Sequence, residues 1–470
     1  MRDQKNVHCA TSFSRGWYVS FKWNPLSEVA ASAPESFAGL CKNLDESWLD
    51  EALGLVGSSA TLRRRKLPVE RAIWLVIGMA LFRERSIQEV VAHLDLALPK
   101  GTSCEGISPG AIPLARARLG VAPVQRLFEL TAEHWAIHPA ESDRWRGLSL
   151  FAADGSCLRI PDTAANDAEF GRPGSNRSSA GYPQVRIVAL LALHSRVLAG
   201  LACRPYRTGE LTLARSIWPS IPDNSLTILD RGYVSFWDFN TLRSAPGFEN
   251  RHWLVRMSSI LSWRTVKKLG PGDELVEFEP SSDLRKKHPE VPATLIARMI
   301  SFQAPGYRST TVITSLLDHV AFPADEVAEL YHLRWDVELA YDEIKTDLLD
   351  RLESLRSLKP DGIRQEVAGI GIAYNLVRIE MARVAADEGV SPNRISFRHS
   401  LQLIRVFCLN SWTTQPGALP RRLGSLEKDL RLLILPERRT ERRYPRQVKI
   451  KMSNYKRHPG RPHALRERKP

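Results

Sequence analysis

The 470-residue chain reads as an α/β protein in three textures: an all-helical N-terminal region, a mixed-sheet domain, and a β-rich insertion that interrupts this domain before its last helices. Three observations carry this reading. Apolar residues recur at helical spacing from Leu44 to about Trp135. From about Leu148, short runs rich in Val, Ile and Leu give three strands in succession and then strands alternating with helices. Between Ser258 and Asp318 the pattern is strand-like with turns.

Bulk composition bounds the function. With 43% hydrophobic and 25% charged residues, the chain is an ordinary globular protein, and disorder as a whole-chain description is excluded. A net charge of +14 and a pI near 9.6 favour a polyanionic partner. Much of that charge is local. From Glu437 to Pro470 thirteen Lys and Arg stand against three Glu, a net of +10 that leaves only +4 for the rest. Such a tail is expected to bind phosphates without reading sequence. The six cysteines are far apart and form no CxxC pair, which argues against a zinc site or a disulfide framework. The most apolar run, "AIWLVIGMALF" at 72–82, is too short to cross a membrane, and the N-terminus has no signal-peptide block. A soluble cytoplasmic protein is expected.

In chain order, residues 1–35 show little periodicity and are expected to be poorly ordered. Residues 36–145 are helical, with Pro68 placed to open "PVERAIWLVIGMALF". Short helices around basic stretches suit a helix-turn-helix reader of DNA ends, although plain helix packing explains them equally well. Residues 146–257 hold "LSLFAAD", which ends at Asp154, two tightly joined strands "QVRIVALLALHS" and "VLAGLACRPY", then "LTILD", which ends at Asp230, and "HWLVRM". The insertion spans 258–320. A second part of the α/β domain covers 321–390, its first helix beginning after Pro323, and is followed by a helical region at 391–436 and the basic tail at 437–470.

An Asp-Gly at a strand end is commonest as a turn former. Two acids at the ends of neighbouring strands, with a Glu-bearing helix downstream, suggest more. On a straight helix at ~100° per residue, Tyr331, Arg334, Glu338 and Lys345 of "YHLRWDVELAYDEIK" fall within about 60° of arc. Their stripe borders an apolar face of Leu333, Val337, Ala340, Ile344 and Leu348. Three converging carboxylates can hold two divalent cations, and oxygen-only ligands suit Mg²⁺ or Mn²⁺. Phosphodiester chemistry uses such a pair, one ion activating the nucleophile and the other stabilising the leaving oxygen. Arg334 and Lys345 would hold DNA phosphates beside it. Asp162, Glu210, Asp238 and Asp342 are competing carboxylates, Asp342 the most plausible substitute for Glu338. Arg256, at the end of the fifth strand, is a further DNA-facing candidate. No G-x(4)-G-K-[ST] loop is present, so no ATP is implied.

The spacing Y-x(2)-R-x(3)-E-x(6)-K from Tyr331 to Lys345 resembles the signature of the insertion-sequence-four family of bacterial DDE transposases. "DGSCLRIPDT" and "LDRGYVS" look like its two Asp segments, and "LRRRKLPVERAIWLVIGMALFRERSIQEVV" is similar to the N-terminal domain of many members. The resemblance covers roughly residues 35–385. It implies an RNase H-like catalytic domain with Asp154, Asp230 and Glu338 as ligands of two Mg²⁺ ions, and with Tyr331, Arg334 and Lys345 on phosphates near the cleaved end. It also implies a β-rich segment between the fifth strand and the Glu helix, for which the 108 residues from Asp230 to Glu338 leave room. Members cut at terminal inverted repeats to free a 3′-hydroxyl that attacks target DNA, and cutting two ends together implies a dimer in the synaptic complex. Some form a hairpin with the help of an aromatic side chain, a part for which Trp253 and Trp263 are both candidates. The alternatives are an immobilised DDE-type nuclease and a non-catalytic DNA-binding protein. A bacterial, nucleoid-associated location follows from the resemblance.

Overall fold

Helix starts in the N-terminal third are written in local chemistry. Asp45 accepts a hydrogen bond from the Ser47 backbone at 2.8 Å and caps α1 (Glu46–Gly54). Pro68 precedes α2 (Val69–Leu81), and Ser86 with Glu89 forms a reciprocal capping box at the start of α3 (Ile87–His93). Two more helices follow, α4 (Ala111–Leu119) and α5 (Ala122–Ala136). This computed structural model describes residues 37, 40 and 42–437, apart from 57–66, 95, 97–106, 137–142, 175–180, 245, 248, 259–260, 304–308, 352–353 and 412–417. The segment 1–35 and all but the first residue of the basic tail 437–470 lie outside the described residues.

The sheet and its connections come next: β1 (Ser149–Arg159), α6 (Ala164–Phe170), β2 (Gln184–Ala192), β3 (Leu198–Pro205), α7 (Glu210–Ala214), β4 (Ser225–Leu229), α8 (Phe236–Ser244) and β5 (Arg251–Arg256). The order β3-β2-β1-β4-β5 places a parallel β1-β4-β5 core beside an antiparallel β1-β2-β3 meander, the mixed sheet of an RNase H-like domain. Because strand side chains alternate between faces, Ala152, Ile228 and Leu254 pack into one apolar layer, and Ala153, Leu229 and Val255 into the other. Both faces are covered, which is why these strands read as continuous apolar runs.

The β-rich segment comprises β6 (Arg264–Gly270), β7 (Asp273–Phe278), α9 (Ser282–Lys287), β8 (Leu295–Phe302) and β9 (Thr310–Thr314). It is not a separate layer. β9 pairs antiparallel with β5, and the sheet runs on through β8 and β7 to β6 as one nine-stranded surface.

The chain then forms α10 (Ala324–His332), α11 (Trp335–Asp342), a π-helical turn at Glu343–Leu348, α12 (Pro360–Asp387), α13 (Phe397–Ser411) and α14 (Leu419–Arg431). One sequence expectation needs correction here. The straight helix from Tyr331 to Lys345 is broken between His332 and Trp335, with Arg334 at the new N-cap, and it widens into the π turn before Lys345. The N-terminal helices α2 and α5 pack on α12, and the described residues up to Leu435 belong to one compact unit. Twelve of the thirteen residues of α2 are buried, and a Cβ on Gly369 of α12 would stand 2.6 Å from Val76, so the two helices touch backbone to side chain. Arg356 donates to the carbonyls of Met79, Phe82, Arg83 and Arg85 and thereby closes the C-terminal end of α2. Sheathed in this way, α2 is a core helix and cannot enter a DNA groove. The arginines of α4 are also engaged internally, Arg116 by Gln365 and the Gly362 carbonyl, and Arg118 by the Leu67 carbonyl.

Candidate active site

Register brings the two Asp residues together. The parallel β1–β4 ladder ends on the rung Ala153↔Leu229, so Asp154 and Asp230 each stand one residue beyond it. Asp154 is not at a strand end as the sequence suggests. β1 continues to Arg159 by pairing with β2, opposite Ala189 at Asp154, with one further bridge to Ser354 at its last residue. Its Asp-Gly is therefore no turn. Gly155 is in the strand, where a Cβ would lie 2.6 Å from the Glu210 side chain.

On the other side of Asp154 lies α11. Tyr341 donates to the Asp154 backbone carbonyl at 2.7 Å and docks the helix on β1. Arg334 Nη2 donates to Glu338 Oε1 at 2.8 Å, while its Nη1 lies 3.7 Å from Asp154 Oδ2. One guanidinium thus stands between two of the three acids. Lys345 Nζ donates to Ser156 Oγ at 2.6 Å, two residues along the same strand face as Asp154. Tyr331 is half-buried in the last turn of α10, and burial together with the Asp230 charge raises its hydroxyl pKa. Arg256 is exposed at the end of β5, and its charge acts on Tyr331. The broken helix therefore still delivers Tyr331, Arg334, Glu338 and Lys345 to one place. It does so by a change of helix at Arg334 and a π turn rather than by a straight stripe.

The electrostatics mark the site. Burial pushes the Asp154 carboxyl up to about 6 against the pull of the Gly155 N–H and Arg334, with Glu210 and Asp230 adding repulsion. Burial lowers the Lys345 ammonium pKa. Among the described residues no group of three or more His, Cys, Asp or Glu side chains is gathered tightly enough to hold an ion. The donor set nonetheless fits a divalent cation: it is all oxygen, Asp230 repels Asp154, and a cationic guanidinium already bridges Asp154 and Glu338.

Three of the competing acids are used elsewhere. Asp162 is paired with Arg172, buried Asp238 accepts from Arg215 and Trp218, and exposed Asp342 accepts from Thr346. Glu210 stays, held by Arg186 at 2.5 Å beside Gly155. The two tryptophans separate clearly. Trp253 is 1% exposed and stacked on Phe239 at 4.0 Å, so it is a core residue and cannot reach a base, whereas Trp263 is 45% exposed. Sequence reasoning misses Ser156, Tyr341 and the buried pairs behind α11. Only Ser156 carries a signal, its period-2 spacing from Asp154.

No helix among the described residues is long and apolar enough to cross a membrane. The family model described as "Insertion element 4 transposase N-terminal" matches residues 34–129, and "Transposase DDE domain" matches 145–376. The "Putative transposase InsZ" of Escherichia coli (strain K12) is 35% identical over 231 residues, 49% of this chain and 75% of that protein. Among solved structures, the "Cryo-EM structure of piggyBac transposase synaptic complex with hairpin DNA" aligns with 87% of this chain and 87% of that one, at a TM-score of 0.43 and 11% identity. The "Transposase InsG for insertion sequence element IS4" of Escherichia coli (strain K12) is 36% identical over 416 residues, 88% of this chain and 92% of that protein. With both family regions matched in order and a relative of this identity aligned along nearly its whole length, the chain belongs to the insertion-sequence-four family of DDE transposases.

Proposed function

We infer that the protein cuts DNA at the terminal inverted repeats of an insertion sequence and joins the freed 3′-hydroxyl ends to target DNA. Asp154, Asp230 and Glu338 would hold two Mg²⁺ ions, Mn²⁺ being an equivalent. Bound there, the ions would activate the attacking water or hydroxyl and offset charge on the leaving oxygen. The observation that carries the reading is the shared position of Asp154 and Asp230 one residue past the Ala153↔Leu229 rung, with Arg334 linking Asp154 to Glu338.

The chain's own part is positioning and charge. Arg334 offers a planar fork suited to a phosphodiester, and Lys345 a point charge held in place by Ser156. Tyr331 and exposed Arg256 extend the phosphate-facing edge from α10 to β5. The partners are double-stranded DNA at the transposon ends and at the target, with two copies acting in the synaptic complex. The cytoplasm, at the nucleoid, is where that DNA lies.

The test is DNA bearing the inverted repeats that flank the gene, incubated with full-length protein and Mg²⁺ or Mn²⁺. Asp154→Ala, Asp230→Ala and Glu338→Ala should each abolish nicking while retarding DNA as the parent does. Nicking that persists in all three variants, or a parent that never nicks with either ion, would rule the reading out.

A further inference from the structure

Beneath Asp154, on the sheet face away from α11, three features converge that the acidic triad does not explain. Glu210 opens α7, and its carboxyl lies flush on the backbone of Gly155, where a Cβ would stand 2.6 Å from Cδ and 3.0 Å from Oε2. Arg186 Nη1 takes the other oxygen, Oε1, at 2.5 Å, so Oε2 is the atom turned toward β1. Tyr233, three residues after Asp230, is 2% exposed, and its hydroxyl has no hydrogen-bond partner among the described residues. The charges of Asp154, Glu210 and Asp230 all act on that hydroxyl.

The sheet itself lets these groups meet Asp154. β4 ends at Leu229, so on that side β1 has no strand partner at Asp154–Leu158 and is met again only by the Ser354 bridge at Arg159. The Glu210 charge acts on the Asp154 carboxyl. Buried hydroxyls are almost always paired, and one left unpaired under the charge of three carboxylates points to a ligand of the centre as its partner.

We propose that Glu210 and Tyr233 complete the active site from this side, Glu210 Oε2 and the Tyr233 hydroxyl together holding a water of the divalent cation bound at Asp154. Glu210 is then a fourth acid of the centre, one water removed from the ion, and Gly155 is the residue that lets it approach. The inference rests on the metal-dependent reading above. Both are positioning residues, acting on the ion through its water, and partners of this kind typically change metal affinity about 10- to 100-fold when replaced.

Mn²⁺ binding to the full chain without DNA, read from the electron paramagnetic resonance of the free ion, tests the proposal. Glu210→Gln keeps the shape and an acceptor for Arg186 and should weaken binding about 10-fold. Gly155→Ala keeps every charge but pushes the carboxyl off its seat, and it should reproduce that loss. Tyr233→Phe should show a smaller one. Asp283→Asn, which removes a charge from exposed α9, should bind as the parent does. If folded Glu210→Gln and Tyr233→Phe both bind as the parent does, Glu210 only ties α7 to β2 and the proposal is overturned. If the parent binds no more tightly than Asp154→Ala, the metal reading fails, and this inference with it.

Discussion

The helix that carries Glu338 shows acids to two sides, and the fold treats the sides differently. Behind it, Asp336 accepts from Arg196 at 2.6 Å, and Glu343 accepts from Arg196 at 3.2 Å, from the Tyr374 hydroxyl at 2.8 Å and from Arg378. Arg196 reaches both acids because its backbone sits at φ 56 in the β2–β3 turn, a conformation that is uncommon outside glycine. Both acids are only 15% exposed and matched by cations. In front, Glu338 is 40% exposed with Arg334 as its cation, and that guanidinium is shared at 3.7 Å with a desolvated Asp154. Identical chemistry is thus saturated where it holds the helix and left short of positive charge on the side proposed to meet DNA. Under-compensated acids in a cleft are the physical mark of a working site, while matched ones are architecture.

That contrast can be broken from either side. The largest effect is expected in front: Glu338→Gln should lower the nicking rate by at least about 10²–10³-fold, the scale for removing one preorganised electrostatic group. Its melting temperature should stay within about 2 °C of the parent's, since a change of about 0.5 kcal/mol moves a large chain no further. Next comes Arg378→Met, which strands Glu343 without its closest cation and should destabilise the protein by about 3–5 kcal/mol in urea melts. An unchanged midpoint there would show that the rear pairs are dispensable.

Asp154→Asn should act in the opposite direction on stability. The Asp154 carboxyl is raised in the folded state to about 6 from an ordinary 3.8, so metal-free parent protein pays for its ionisation above that range. Its stability should rise as pH falls through about 6 toward 4, and Asp154→Asn should remove that slope and add up to about 3 kcal/mol at pH 7. A flat pH profile in the parent would contradict the crowding of acids in front. The smallest effect is reserved for Ser156→Ala, which frees the Lys345 ammonium at a cost of about 0.5–1.5 kcal/mol. It sharpens the contrast if nicking falls further than stability does.

How much of this is legible in the sequence depends on which forces act locally. The strands β1, β4 and β5 are evident because both their faces are buried, and the start of α2 because Pro68 punctuates it locally. The break at Leu333–Arg334 is not legible, for both residues are good helix formers and neither Pro nor Gly interrupts the run. Trp253 and Trp263 look alike as candidates, and burial alone distinguishes them. Glu210 is visible as a nearby acid, but its seat on Gly155 depends on a contact across 55 residues.

By itself, the sequence determined the α/β class, the family, the order of the three acids and the Tyr-Arg-Glu-Lys spacing, because these are properties of residue type and separation. Tertiary structure decided the rest. It placed Asp154 and Asp230 side by side through strand register, ran the β-rich segment into the same sheet, broke the Glu338 helix at Arg334, and sorted matched acids from exposed ones. Those outcomes depend on which groups burial brings within a few ångströms of each other, and desolvation and charge act over that distance whatever the separation along the chain.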